Sequence, residues 1–483
     1  MRMIILPLLL CFALNLAAQD ASKWDLRRCV DYAMANNISV KEADVTARVS
    51  AIILKQSKLQ QIPSLGFNLN HGFSFGRTLD RTTNIYTDRS IMYSNMALQS
   101  SANLFNWNSQ KNTIAANKYV NEADKAAVDK ARYDIGLLVA RQYLIALLSL
   151  ETSKVNEVQL NTSNAQFQNT RKLVDAGSLP ELNAAELEAQ VARDNATFIQ
   201  SQSQFEIEKL TLKGLLNLPA DAPFDIDAPP VESIPVDNIL EQDPAVVYAL
   251  ALKTQPQVKG NNFRLMASEK NYFANKGRLY PTISAFGQLA TNYTQAFKQP
   301  TGFNVTGEQT TGTYVKNGAS TLPVYAPTGT LTSVNRSFGG LWDGYGSQLK
   351  DQFGQSIGLG INVPIFNGWQ ARSTVERSKL DIERSKLAIT RDTLQLKQDV
   401  YNAYQQAYGS FQTFKAREQQ VKTAERSYEL ANKRYEIGVM QTIEWLQNQN
   451  NLTRARIDKL IAQYDYVFKM KVLEFYKGQG VRL

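Results

Sequence analysis

The sequence predicts a mostly α, α+β chain that uses one unit twice: a helical stretch, a β-hairpin and a very long helical hairpin. Three observations carry that class. The chain superposes on itself at constant offsets. Four segments of about ten residues alternate apolar and polar side chains, the period of a strand. Two proline-free stretches, 108–173 and 370–437, are far longer than a helix of a compact domain.

The offsets define the units. From residue 98 to about 216, a shift of 261 lays the first half on the second without a gap: Phe105-Asn106 on Phe366-Asn367, Glu122 on Glu383, Tyr143 on Tyr404, Gly177 on Gly438 and Arg193 on Arg454. Upstream the shift is 218, with Ala33 on Ala251, Val40 on Val258, Lys58 on Lys276 and Pro63 on Pro281. The difference is a 43-residue insertion between Pro281 and Phe366. Prolines 219, 223, 229, 230 and 235 mark residues 218–243 as a linker that cannot continue a helix. The repeats are therefore 20–217 and 244–477, with 478–483 a tail.

Residues 1–19 read as a secretory signal: Arg2, an apolar run over 3–14, and small residues for cleavage near Ala18. No later segment is expected to span a membrane as a helix, because Arg141 and Gln142 interrupt the most apolar stretch. A membrane span must then be made of strands.

Each unit opens with a helical stretch ended by a proline, Pro63 or Pro281. Strands follow at about 65–75 and 92–105, and at about 282–291 and 353–365. In the first, Leu65, Phe67, Leu69, His71, Phe73 and Phe75 share one face, opposite Gly66, Asn68, Asn70, Gly72 and Ser74. In the last, Phe353, Ile357, Leu359, Ile361, Val363 and Ile365 oppose Gly, Ser and Asn. A polar face without charge suits a barrel lumen, and ten residues suit a tilted bilayer crossing. Phe105, Trp107, Phe366 and Trp369, where strand gives way to helix, suit a membrane-interface belt. The insertion, rich in Gly, Thr, Asn and Pro, reads as a long loop at the barrel mouth or a partial plug.

Helices are expected at about 108–174 and 179–217, then 369–436 and 440–477, with Gly177 and Gly438 ending the long ones at tight turns. Leu380, Leu387, Leu394, Tyr401 and Tyr408 recur at intervals of seven. Val375, Ile382, Ile389 and Leu396 form a second stripe two residues out of phase, on the opposite flank. Two opposed coiled-coil seams need neighbours on both sides, as in a closed wall of helices.

Composition narrows the function. One histidine, His71, and two cysteines, Cys11 and Cys29, leave little room for Ser-His-Asp or Cys-His machinery and no zinc site built on Cys and His spacings. The net charge of +9 comes from basic residues interleaved with acids along helices, not from a nucleic-acid patch. A carboxylate enzyme would need convergent acids, which are instead spread out. No catalytic residue, metal or cofactor is expected.

Residues 104–108 (LFNWN) and 365–369 (IFNGW) at the strand-to-helix junctions, and residues 434–458 (RYEIGVMQTIEWLQNQNNLTRARID) at the second turn, resemble the TolC family of outer-membrane efflux proteins. The first turn, residues 172–194, matches more loosely. The resemblance implies a homotrimer in the outer membrane. Each protomer gives four strands to a 12-stranded β-barrel, continued by a periplasmic α-helical barrel whose tips form a gate. It implies a passive exit duct of a tripartite efflux or type I secretion system, working with a periplasmic adaptor and an inner-membrane transporter. At the second tip, Tyr435 and Glu444 match the family's closing tyrosine and first acid, while Met440 replaces a basic residue and Gln447 the second acid. In the first tip, Leu182 and Asn183 replace a hydroxyl and an acid. The rival is an adaptor-like helical-hairpin protein without a pore, which has one hairpin rather than a duplicated pair.

Overall fold

The computed structural model describes residues 23–80, 85–88, 90–228, 234 and 237–478. The signal segment with its cleavage point, the tail beyond 478, and linker residues Pro229, Pro230 and Pro235 lie outside the described residues. The chain divides into two compact units. A helical one holds residues up to Leu54, Ala115–Lys270 and Ser378 onwards; a strand-bearing one holds Lys55–Ile114 and Asn271–Arg377.

The helices repeat to within one residue. Helices α1 (Leu26–Asn36) and α2 (Ile38–Leu59) reappear 218 positions on as α5 (Pro244–Thr254) and α6 (Pro256–Gly277). Helices α3 (Ser109–Asp175) and α4 (Glu181–Leu216) reappear 261 positions on as α8 (Gln370–Glu436) and α9 (Thr442–Tyr476). The 67 residues of α3 or α8 extend about 100 Å at 1.5 Å per residue. Local chemistry sets the starts. Asp25 caps α1 by accepting from the Arg28 amide at 2.7 Å. Asp243 caps α5 by accepting from the Ala245 amide at 2.8 Å, with Pro244 in the first turn, where its missing N–H costs nothing.

In the helical unit each short helix is buried against its own pair of long ones. Leu26, Cys29 and Ala33 of α1 pack with Val139, Tyr143 and Leu147 of α3 and Leu212 and Leu216 of α4. Val247 and Ala251 of α5 pack with Val400, Ala403 and Ala407 of α8 and Met470 and Leu473 of α9. Burial, reinforced by the Asp25 carboxylate, pushes the Cys29 thiol up to about 12, so it stays an inert core side chain. The linker is more tightly held than its prolines suggest. Ile226, Ile234 and Ile239 are buried, the Lys213 ammonium donates to the carbonyls of Ala220 and Ala222, and the Tyr143 hydroxyl donates to that of Asp227.

One expectation is corrected. Helix α3 does contain a window long and apolar enough to cross a membrane, despite Arg141 and Gln142. Its apolar side chains Val139, Ala140, Tyr143, Leu144 and Leu147 are 0–2% exposed in the α1–α3–α4 core, which explains the composition.

In the other unit β1 (Ser64–Ser74), β4 (Ile91–Phe105), β5 (Thr282–Ala296) and β8 (Gly354–Asn362) form one antiparallel sheet in the order β1-β4-β5-β8. Val363 and Ile365 fall past the end of β8. Strands β2 (Arg77–Asp80) and β3 (Ile85–Asp88) extend the β1–β4 connection as a small hairpin. The insertion is not a loop. Strand β5 runs five residues past its expected end, and β6 (Lys298–Asn317) pairs with β7 (Ser320–Asn335) in a long separate hairpin before α7 (Tyr345–Asp351). Threonines and β-branched residues on both strands favour that conformation over coil.

Candidate functional site

Register assigns the two faces of the sheet. Leu69, Met96 and Thr291 are opposite one another, as are Phe67, Leu98 and Leu289, so the odd-numbered residues of β1 share a face with these partners. That face also carries Leu65, Ile357, Leu359 and Ile361, each more than two-thirds exposed in the lone protomer. The reverse face presents Asn68, Asn70, Gln99, Asn95, Gln288, Asn292 and Ser356. Large apolar side chains dominate one face and uncharged polar ones the other, where Phe286 and Tyr93 are exceptions.

Aromatic residues bracket the apolar face. At one end Phe105 lies 5.2 Å from Trp107, and Trp107 5.0 Å from Tyr280. The Trp107 indole donates to the Pro281 carbonyl at 2.8 Å. Phe366 and Trp369 are 85% and 58% exposed at the corresponding junction. The backbone explains why the junctions repeat: Trp107 and Asn108 have φ of +52° and +59°, and their counterparts Gly368 and Trp369 have +63° and +67°. At the other end Phe73, Phe75 and Phe297 cluster, and His71 stacks on Trp342 at 5.2 Å. From Ile283 to Tyr293 is about 34 Å along the strand, or about 25 Å of height at the tilt of an outer-membrane strand.

The sole histidine stacks on Trp342 and remains exposed. Residues 339–351 pack on the apolar side of β4 and β5: Tyr293 donates to the Leu341 carbonyl, Thr291 donates to that of Leu349 at 2.6 Å, and Ser94 bonds the Tyr345 hydroxyl at 3.2 Å. This part of the insertion packs on the apolar face and does not plug the polar one.

The two helical turns share one backbone. Gly177 and Gly438 both have φ +75°. The Gly177 amide donates to Val174 and that of Ser178 to Leu173; the Gly438 amide donates to Tyr435 and that of Val439 to Arg434. Each is a Schellman closure, which needs a left-handed residue at that point. Their side chains differ. At the first turn, exposed Arg171 pairs with Asp175 and Glu181. At the second, Leu187, Ala431, Trp445 and Leu446 are buried, with Tyr435 and Met440 packed beside them.

Tyr435 stacks on Trp445 at 5.1 Å, and its buried hydroxyl has no hydrogen-bond partner. Glu444, in the first turn of α9, and Gln447 are both exposed. The structure does not join these two to Tyr435 within one protomer. The sequence reading missed Thr442 and Gln449. Both are 3% exposed and lie on the Trp445 side of α9, and their side-chain polar atoms are also unpartnered. Gln449 lines a groove of about 550 Å³ with Val158, Gln159, Tyr428, Thr453 and Arg456. The signal was the seven-residue spacing of Thr442 and Gln449, which puts both on one helix face. Among the described residues, no group of three or more His, Cys, Asp or Glu could hold a metal ion.

Residues 329–478 match the Outer membrane efflux protein family. No curated protein sequence matches the chain. Among solved structures, the CmeC outer membrane channel of Campylobacter jejuni superposes with a TM-score of 0.70 at 15% identity, over 95% of this chain and 86% of that one. VceC of Vibrio cholerae, an outer membrane protein, gives 0.70 at 14% over 94% and 95%. The open-state MtrE outer membrane channel of Neisseria gonorrhoeae gives 0.68 at 17% over 94% and 88%. The family match lies on the second repeat, and the fold of these outer-membrane channels runs through both repeats.

Proposed function

We propose that three copies of this chain form a passive exit duct through the outer membrane, loaded by a periplasmic adaptor and an inner-membrane transporter. The observation that carries it is the two-faced sheet with unpaired edges. One protomer's four strands leave β1 and β8 unpaired at their outer sides. Such edges are not tolerated in a bilayer, so the sheet must close on further copies. Closure with twelve strands turns the apolar face to lipid and the Asn, Gln and Ser face to a wet lumen. The long helices, with their duplicated hairpins, supply the periplasmic wall of the duct. Tyr435, Glu444 and Gln447 then lie at the closing end, and the groove over α9 with its unpaired Gln449 amide offers a partner helix hydrogen bonds the protomer does not supply.

Cysteine labelling in outer-membrane vesicles tests the faces. Asn70→Cys and Asn292→Cys should react with a hydrophilic maleimide, and Leu359→Cys and Ile361→Cys should not. The reverse pattern would refute the barrel. Unheated protein should also run as an SDS-resistant trimer from the envelope fraction.

A further inference from the structure

We infer that α8 of one copy packs against α2 of the next, and that Leu380 meets Val45 and Arg384 meets Glu42 across that contact. The inference rests on the trimeric reading and deepens it, because it names the helices and residues at the seam.

The argument uses contacts already present inside one chain. In the helical unit α3 lies between α2 and α6: Asn121 of α3 donates to the Ala47 carbonyl and the Ser50 hydroxyl of α2, while Tyr119 of α3 stacks on Phe263 of α6. Helix α6 also touches α8, through Ser268 to Ser385 at 3.1 Å and through Asn261 and Gln257, which both donate to Asp392. The order is α2-α3-α6-α8. The α2–α3 and α6–α8 contacts are repeats of one another, because Ser50 and Ser268 are 218 residues apart and bond positions one turn from equivalence on their long helices.

The α3–α6 contact joins the first repeat to the second, and within one chain it has no counterpart. Its counterpart must join α8 to an α2 from elsewhere. The offsets say where. Tyr119 maps to Leu380 and Phe263 to Val45; Gly260, which approaches Ala123 and Ala126 of α3, maps to Glu42, and Ala123 maps to Arg384. All four target residues are exposed in the lone protomer: Leu380 is 63% and Val45 49% exposed, and the Arg384 side chain, paired with Asp381 of its own helix, is 83% exposed. The apolar positions match and the charged ones are opposite. In the other unit the strand order β1-β4-β5-β8 likewise ends on the strands adjoining α2 and α8 in sequence.

The full-length protein in detergent tests it. Val45→Cys with Leu380→Cys should yield disulfide-linked trimers on non-reducing gels, while Val45→Cys with Leu394→Cys, about 21 Å further along α8, should not. Independently, Arg384→Glu should diminish the SDS-resistant trimer several-fold, and adding Glu42→Arg should restore it. Trimers of normal mass that never cross-link at Val45 and Leu380, and that ignore both charge changes, would overturn the named packing and leave the trimer standing. A protein that is monomeric throughout would overturn both.

Discussion

The two flanks of α8 are built from the same kind of residue and meet different fates. Val375 and Val400 are 6% and 0% exposed, with Ile382, Ile389 and Leu396 partly covered between them; Leu380, Leu387 and Leu394 are each more than 60% exposed. Periodicity reports that a helix needs two neighbours. It does not report whether the same chain supplies both. The open flank is the surface that the proposed trimer would cover.

The sharpest way to break that contrast is to truncate one residue on each side. Met470→Ala, in the core that buries Val400, should cost about 2–5 kcal/mol in the thermal melt of the protomer. Leu387→Ala should leave that melt nearly unchanged and instead weaken the SDS-resistant trimer. If both variants lower the protomer's melting temperature equally, the open flank is packed within the chain.

Much of this contrast was legible in the sequence, and the reason is the repeat. Identities at one offset fix helix ends to within two residues, because Pro63, Pro281, Gly177 and Gly438 punctuate the chain where backbone geometry demands them. The insertion has no counterpart to compare with, so its composition read as loop although Thr and aromatic residues pair it into a hairpin. The tip was half legible. Tyr435 and Glu444 were found by resemblance, but only packing shows that the Tyr435 hydroxyl and Gln449 amide are buried without partners.

A smaller effect sharpens the comparison of the two turns. Gly177→Ala and Gly438→Ala meet no neighbouring atom, so each should cost only the left-handed backbone penalty, about 1–2 kcal/mol, seen as faster hydrogen exchange at its own turn. Unequal losses would mean that one turn leans on more than its glycine.

Tyr435→Phe removes a hydroxyl that bonds nothing in the protomer, so protomer stability should change by less than about 1 kcal/mol. Channel conductance should nevertheless rise if that hydroxyl is bonded across the closed tip of the trimer. An unchanged conductance would leave Tyr435 a packing residue of the Trp445 cluster.

The smallest effect concerns pH at the α6–α8 contact. Burial raises the Asp392 carboxyl, but hydrogen bonds from Asn261, Arg391 and Gln257 outweigh it and hold the group below its usual 3.8. A depressed folded value adds stability above the unfolded value and loses it as pH falls through the folded one. Hydrogen-exchange protection around Gln257 and Asn261 should therefore weaken only below about pH 4, and Asp392→Asn should abolish the dependence.

Single-channel recording of the purified trimer in a planar bilayer tests the central claim most directly. The account predicts stable, cation-preferring conductance, blocked by multivalent cations from the helical side if, as proposed, three Glu444 carboxylates ring the axis, with the block lost in Glu444→Gln. A folded, trimeric protein that conducts no ions, under conditions that open the tip, would contradict it.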